Sequence, residues 1–543
     1  MVDAVVIGAG PNGLVAANLL ADAGWDVTVL EGRPSPGGGV SSAEYLGKGW
    51  ISDVCSAFYP LAMASPVMQA LDLERYGVRW SHAPAVLGHP RPDGAAMLWQ
   101  DPFRTAEGFA KDIPADGPAW LRLHGLWRRI GSDLVDALLS PFPPLRPAGR
   151  IASTLGVGGS LRLARFLSLP VRRLIEEEFR GDGPALLLAG CALHADFFPE
   201  SSGSALFGWL LAMLGHHAGY PVVQGGAEQL TTALVRRLES RGGRVDCNRQ
   251  VTHIDVQAGS VTGVRTADGE RVGVRRAVLA DVAVTELYGA LVSRDDLPAT
   301  LADDLRRFQW DWSTVKFDWA LSQPVPWSCP DLSSAGTVHM ADSLDSLTRG
   351  SAALATGMVP ADPFVLLGQL TTSDPTRSPP GTECLYGYTH VPRQVQGDSG
   401  DGSIKGVWDR DDLDALADRV EDRIERHAPG FRARIRARHI LGPAGLQGHD
   451  PNLDWGSING GTAAIHQQLV FRPIPGLGRA ETPVNGLYLS SASAHPGGGV
   501  HGACGANAAR AALAAIRPLH RLTLGPAGRA VHGRSRGRTL FHD

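Results

Sequence analysis

A chain of 543 residues, 43% hydrophobic and 20% charged, is a folded globular protein too long for one ordinary core, so two domains are expected. Its net charge of −4 offers no electrostatic basis for binding nucleic acid. Six cysteines (Cys55, Cys191, Cys247, Cys329, Cys384 and Cys504) are scattered without a CxxC pair, which argues against a disulfide scaffold, a zinc site or a redox dithiol; no metal is expected.

The chain opens on Val5-Val6-Ile7, apolar enough for a buried parallel strand, and runs directly into Gly8-Ala9-Gly10-Pro11-Asn12-Gly13, a GxGxxG. Residues 14–23 read as a helix closed by Gly24, residues 27–30 as the next strand, and Glu31 ends it. This is a βαβ unit for a dinucleotide: the glycines allow a tight turn, close approach to a pyrophosphate and close helix–strand packing. The helix N-terminus presents free N–H groups to the phosphates. Glu31, eighteen residues past Gly13, is placed to accept both hydroxyls of a ribose and repels a 2′-phosphate. No basic segment precedes the first strand, so no signal peptide is expected and a cytoplasmic location is the expectation.

Beyond Glu31 come Gly32, Arg33 and the run Gly37-Gly38-Gly39. An arginine two residues past the ribose carboxylate, then paired glycines, resembles the glutathione-reductase-like flavoproteins. That resemblance implies FAD, with Gly37, Gly38 and Gly39 along its diphosphate and ribityl chain. Many members carry Arg where this chain has Gly39, a departure at that contact.

Residues 50–60 read as a loop and 61–75 as a helix. A mostly helical stretch from about 110 to 215 is interrupted by the breaker cluster at 142–147. Residues 201–227 hold no Asp, Glu, Lys or Arg, yet their apolar centre, 205–214, is too short to span a bilayer. A buried helix or the wall of an apolar channel is expected there, with peripheral membrane contact as the alternative. Gly225-Gly226-Ala227-Glu228 then leads into a helix at 229–240 and strands at 244–247, 251–256, 261–266 and 276–281. In the resembled flavoproteins the segment at Val251 meets adenine through its backbone. From 287 to 480, strands at 314–321 and 383–390 and a charged helix at 411–427 suit a substrate domain. A strand at 486–491, a glycine-rich loop at 495–505 and a helix at 506–516 follow. Gly497-x-Gly499-x-x-Gly502 is formally a second GxGxxG, but no strand ending in an acid follows it. It reads as a helix N-terminus under a flavin ring, with Gly498, Gly499 and Val500 against the cofactor. Past Arg517 the residues are rich in Arg, Gly and His and read as a basic, flexible tail.

Three segments carry a narrower resemblance: TTSDPTRSPPG around Asp374-Pro375, YTHVP from Tyr388 to Pro392, and HPGGGVHGACGANAA from His495 to Ala509. From Val2 to about Ile516 the chain resembles the phytoene-dehydrogenase-related flavoproteins, and within them the pyridine nucleotide-disulphide oxidoreductase domain-containing protein 2 subfamily, although the paired cysteines which that name suggests are missing. The resemblance implies an α/β protein: a Rossmann-type, glutathione-reductase-like FAD-binding domain with a mixed α+β substrate domain inserted in it. The expected division is FAD-binding parts at 1–80, 220–290 and 481–516, a helical substrate-capping region at 81–219, a substrate domain at 291–480 and the tail at 517–543. The implied activity is phytoene desaturase-like: an FAD-dependent oxidoreductase dehydrogenating a small, largely apolar substrate by hydride transfer to flavin N5. With no second nucleotide domain, oxygen or a quinone is the expected electron acceptor; the oligomeric state is left open.

Such chemistry also needs a proton to leave the neighbouring carbon. Lys316 is a candidate: on a strand at 314–321 it shares a face with Thr314 and Asp318, opposite Val315, Phe317 and Trp319. It resembles the lysine that holds a water at N5 in amine oxidases; the competing reading is a solvated strand face. His495 and His501 flank the glycine loop as candidate proton carriers, or as ligands of a tight loop's backbone. Cys504 is weighed for covalent flavin attachment and as a small residue that the loop requires. Two other functions stay open: an FAD amine oxidase producing imine and hydrogen peroxide, with Trp310, Trp312 and Trp319 as an aromatic cage, and a flavin-fold interaction protein with little turnover.

Overall fold

The structure, a computed structural model, describes residues 1–194 and 196–516; the expected basic tail lies outside the described residues. At its base is a parallel sheet. The first strand, Val2–Ile7, lies between Val27–Leu30 and Arg271–Ala280, with Arg244–Asp246 beyond one and Leu487–Leu489 beyond the other. Every residue of Val2–Ile7 and Val27–Leu30 is buried, as expected where helices cover both faces. The helix Pro11–Asp22 starts on its proline, earlier than the pattern suggested, because a proline at the first helical position has no N–H to leave unpaired. A hairpin, Val251–Gln257 and Ser260–Thr266, extends the sheet antiparallel from Arg271–Ala280.

A second, seven-stranded sheet runs in the order Ile435–Leu441, Ser313–Leu321, Glu383–Val391, Val365–Gln369, Ala335–Met340, Ala85–Arg91, Gly94–Leu98. All pairings are antiparallel except that of Ala335–Met340 with Ala85–Arg91. Residues 85–98 therefore form a hairpin of this sheet and not part of a helical region starting at 81. The signal was Pro92-Asp93-Gly94, a turn sequence whose Gly94 takes a positive φ of 141°. Helices begin at Pro102 and continue through Ser204–His217, with the expected break between Leu139 and Leu145.

Two of these helices, Asp182–Leu193 and Ser204–His217, are among the most deeply buried. They approach so closely that a Cβ on Gly208 would lie 2.5 Å from the Leu188 carbonyl oxygen. The apolar stretch is thus core, and no helix among the described residues is long and apolar enough to cross a membrane.

A buried polar knot ties three distant segments together. Arg377 donates to Asp53 (2.8 Å) and Asp374 (3.0 Å), all three side chains wholly inaccessible. The same carboxylates accept main-chain N–H groups from Ala227 and Gly225. One guanidinium therefore links segments near 53, 225 and 375.

Candidate active site

Between the two sheets and the helical layer lies a cavity of about 380 Å³. Each wall follows from a local pattern. Phe207, Leu210, Leu211 and Leu214 line it from Ser204–His217; their i, i+3, i+4, i+7 spacing is one helical face. Leu138 and Leu139 extend this wall from the end of Asp116–Leu139. Opposite stand Thr314 and Lys316, from the strand Ser313–Leu321, whose nine residues are all buried. The solvated-face reading of Lys316 is thereby overturned: one face of the strand packs Val315, Phe317, Trp319 and Leu321 into a core, while Thr314 and Lys316 turn to the cavity. Lys316 is 2% exposed, ion-paired with the inaccessible Asp318, and its Nζ sits 4.7 Å from the centre of the Tyr386 ring. Burial raises the Asp318 carboxyl, and Lys316 opposes that rise.

The nucleotide end is formed by Gly10, Pro11, Asn12 and Gly39, with Asp281 and Asp450 beside them. Gly8 and Gly13 shape the turn from behind: Gly8 has φ 92°, and a Cβ on Gly13 would lie 2.3 Å from the Gly8 carbonyl oxygen. Glu31 ends its strand buried, its two oxygens accepting the N–H of Ala9 (2.7 Å) and of Arg33 (2.8 Å). A carboxylate has about four acceptor positions, so two remain for a ribose. Gly32 lies against Gln250, Gly37 donates to the Ala9 carbonyl, and a Cβ on Gly38 would come within 3.4 Å of the Gly10 Cα. Main-chain bonds from Asn248 and Arg249 to Arg33 and Glu31 set the start of the Val251 strand beside them. The buried Asn12 Oδ1 has no partner among the described residues. Narrow glycine walls, spare acceptors on Glu31 and an unpartnered polar atom fit the extended nucleotide of FAD.

Asp281 ends the strand Arg271–Ala280 as Glu31 ends Val27–Leu30, and accepts the Gly13 N–H at 2.7 Å. An acid closing a strand was visible at that position in the sequence; its place in the site was not. Burial pushes its carboxyl up to about 8; the Gly13 bond opposes this, and Asp450 and Glu31 add repulsion. The native state thus holds this proton from about pH 4, where the unfolded chain releases it, to about pH 8. The stabilisation relative to an ionised Asp281 is complete below the unfolded value and is lost as pH rises through about 8. Thermal denaturation of the cofactor-free protein between about pH 5 and 9 should show this decline, and Asp281→Asn should flatten it.

The glycine loop contributes Pro496, Gly498, Gly499, Val500 and His501. His501 uses Nδ1 to accept the Ala503 N–H at 3.0 Å, capping the helix Ala503–Ala515. His495 does not reach this cavity. Its Nε2 meets the Ser140 carbonyl oxygen at 3.1 Å, and it lines a separate space of about 190 Å³ with Asn507 and Arg510. Burial pulls both imidazoles down to about 4, so neither is a proton carrier poised near neutrality. Cys504 is also outside the cavity wall, its thiol directed to the carbonyls of Ala494 and Gly497. Of the weighed tryptophans, Trp319 packs in the core behind Lys316, Trp312 stacks on Phe198 and Trp310 meets Phe308 edge to face; none lines the cavity. Tyr386 and Tyr388 occupy the wall instead.

Helix Ala503–Ala515 crosses Pro11–Asp22 closely enough that a Cβ on Gly505 would stand 1.9 Å from the Asn12 carbonyl oxygen. Gly505→Ala must push the two helices apart, at a cost of about 1–3 kcal/mol or more. The expected result is protein purified with less FAD per chain, read as the ratio of flavin to protein absorbance; full occupancy would contradict it.

Comparison with known proteins agrees with this geometry. Residues 6–72 match the NAD(P)-binding Rossmann-like domain and residues 154–288 the flavin containing amine oxidoreductase family. The chain is 27% identical to pyridine nucleotide-disulfide oxidoreductase domain-containing protein 2 of Mus musculus, over 93% of this chain and 92% of that one. It is 26% identical to the neurosporene-forming phytoene desaturase of Cereibacter sphaeroides, over 97% of each. In fold it is similar to an oxidoreductase from Methanosarcina mazei, with a TM-score of 0.59, 16% identity, and 94% and 99% of the two chains covered.

Proposed function

We propose that this chain, an FAD-dependent oxidoreductase related to the phytoene desaturases, dehydrogenates a C–C bond of a small, largely apolar substrate held against the leucine wall. The observation that carries this reading is the meeting, in one cavity, of an apolar helix wall, a buried lysine and the two glycine loops.

Glu31 would hold the ribose, and Gly8, Gly10, Pro11, Asn12 and Gly13 the pyrophosphate, with Gly32 and Arg33 beside the ribose. Gly37, Gly38 and Gly39 would follow the ribityl chain, the Val251 backbone the adenine, and Gly498, Gly499 and Val500 the ring. Bound FAD would supply the hydride acceptor, with oxygen or a quinone as the final electron acceptor. Lys316 sets the proton path: its ammonium gives one N–H to Asp318 and has further N–H groups to orient a water at the cavity face, whose oxygen takes the proton that leaves the substrate carbon. The leucines exclude bulk water from that point. Peripheral contact with a membrane belongs to the same reading, because Ile465, Leu469, Val470 and Phe471 are exposed within one short segment.

The test is anaerobic reduction of the bound flavin by a panel of apolar alkenes and of amines. Bleaching by the apolar set, with no peroxide formed from amines in air, is expected. Bleaching by amines alone would replace this reading with amine oxidation.

A further inference from the structure

Four tyrosines line the cavity between the two sheets: Tyr59, Tyr220, Tyr386 and Tyr388. Three have committed their hydroxyl proton to a backbone carbonyl, Tyr59 to Ser56, Tyr220 to Leu211 and Tyr386 to Cys55. Tyr388 is different. Its oxygen lies 3.1 Å from Nδ1 of His194, which also lines the cavity, and His194 Nε2 lies 2.6 Å from Nε2 of the wholly buried His339.

The direction of that chain is set at its far end. Burial pulls His194 down to about 3 and His339 well below its ordinary value, so both rings are neutral and each carries one proton. The two facing nitrogens share one hydrogen bond, which leaves two arrangements. If His194 donates to His339, then His339 must carry its proton on Nδ1, where no hydrogen-bond partner exists among the described residues. A Cβ on Gly190 would lie only 2.4 Å from that Nδ1, so the glycine's α-hydrogen on the same bond points at it. A second hydrogen there would face the first, whereas a bare lone pair meets a weak C–H donor. Buried N–H groups without a partner are rare. The arrangement selected is therefore His339 Nε2–H to His194, and His194 Nδ1–H to the Tyr388 oxygen. The Tyr388 hydroxyl, accepting from His194, has its own proton left for the cavity.

We propose that Tyr388 is the hydrogen-bond donor that anchors an oxygen acceptor (a carbonyl, ether or hydroxyl) on an otherwise apolar substrate, with His194 and His339 as positioning residues that keep its proton turned inward. This rests on the reading of the cavity as the site for an apolar substrate, and it narrows that class to apolar skeletons bearing one oxygen function. Lys316 and Tyr388 are direct cross-strand partners, so the anchor sits one strand from the lysine. A pure hydrocarbon would leave the Tyr388 hydroxyl both desolvated and unpartnered, which is the situation in which sites discriminate most strongly.

The test uses the FAD-loaded protein and a matched pair of probes, 2-tridecanone and tridecane. The wild-type protein should bind the ketone at least about ten-fold more tightly, and the infrared carbonyl stretch of the bound ketone should move to lower wavenumber. Tyr388→Phe should bring ketone affinity down to that of the hydrocarbon, with FAD content and tridecane binding preserved. His339→Leu frees His194 to take the tyrosine proton, so the carbonyl shift should vanish although Tyr388 remains. Equal binding of the two probes by the wild-type protein, or an unshifted carbonyl, overturns the proposal without any variant. A preference that survives Tyr388→Phe overturns it as well, and a shift that survives His339→Leu overturns the positioning role. Failure of the oxidoreductase reading is distinguishable: the ketone preference would persist while no compound reduced the flavin.

Discussion

Lys316→Met is expected to slow reduction of the bound flavin by about 10²–10⁴-fold, the range for removing a positioned proton-transfer group. Methionine keeps the length and much of the packing of the lysine stem and removes its N–H groups. The single variant carries a second consequence. Asp318 is inaccessible, one of its oxygens already has no partner among the described residues, and Lys316 is a cation paired with it. Breaking a buried pair by removing one member costs about 3–5 kcal/mol. Slow turnover in Lys316→Met alone could therefore report damage to the fold. The decisive protein is Lys316→Met/Asp318→Asn, in which no charge is stranded. It should melt close to the wild-type protein and retain FAD, yet show the same loss in anaerobic stopped-flow reduction. Wild-type rates in that double variant would remove Lys316 from the mechanism.

Arg377→Met is expected to destabilise the protein by about 3–5 kcal/mol, because it leaves Asp53 and Asp374 buried without their cation. The two carboxylates come from segments more than 300 residues apart, and both also orient main-chain N–H groups at 225 and 227. The damage should thus reach the packing of all three segments. Adding Asp53→Asn and Asp374→Asn should recover much of the loss, since neutral amides of similar shape need no counter-charge. Chemical denaturation of the single and triple variants measures both effects. A single variant as stable as the wild-type protein would show that the knot contributes nothing to stability.

Local pattern and tertiary arrangement divide this protein cleanly. The first forty residues announce a nucleotide-binding βαβ unit because a parallel strand, a tight glycine turn and a terminal acid are all short-range demands on consecutive residues. The four-residue periodicity of Phe207, Leu210, Leu211 and Leu214 likewise belongs to one helix and could be read there as a buried helix or channel wall. The hairpin at 85–98 was legible too, through Asp93-Gly94, and was missed because the region around it is helical.

What only the fold decided is which faces are covered, and by what. Strand alternation places Lys316 and Asp318 together on either reading of that strand. Whether they meet water or a cavity depends on helices a hundred residues earlier and on strands that follow. His495 and His501 look equivalent beside a glycine loop, yet one bend of backbone sends the first to the Ser140 carbonyl and the second to the cavity wall. Tyr388, His194 and His339 are separated by about 50 to 200 residues and carry no motif. Hydrogen bonding between such groups is specified by sheet register and helix packing, which chain-local periodicity does not encode. The sequence by itself determined the cofactor class and the fold built to hold it; the tertiary structure decided which polar groups are dry, paired and turned toward a substrate, because burial and pairing are properties of segments that meet only after folding.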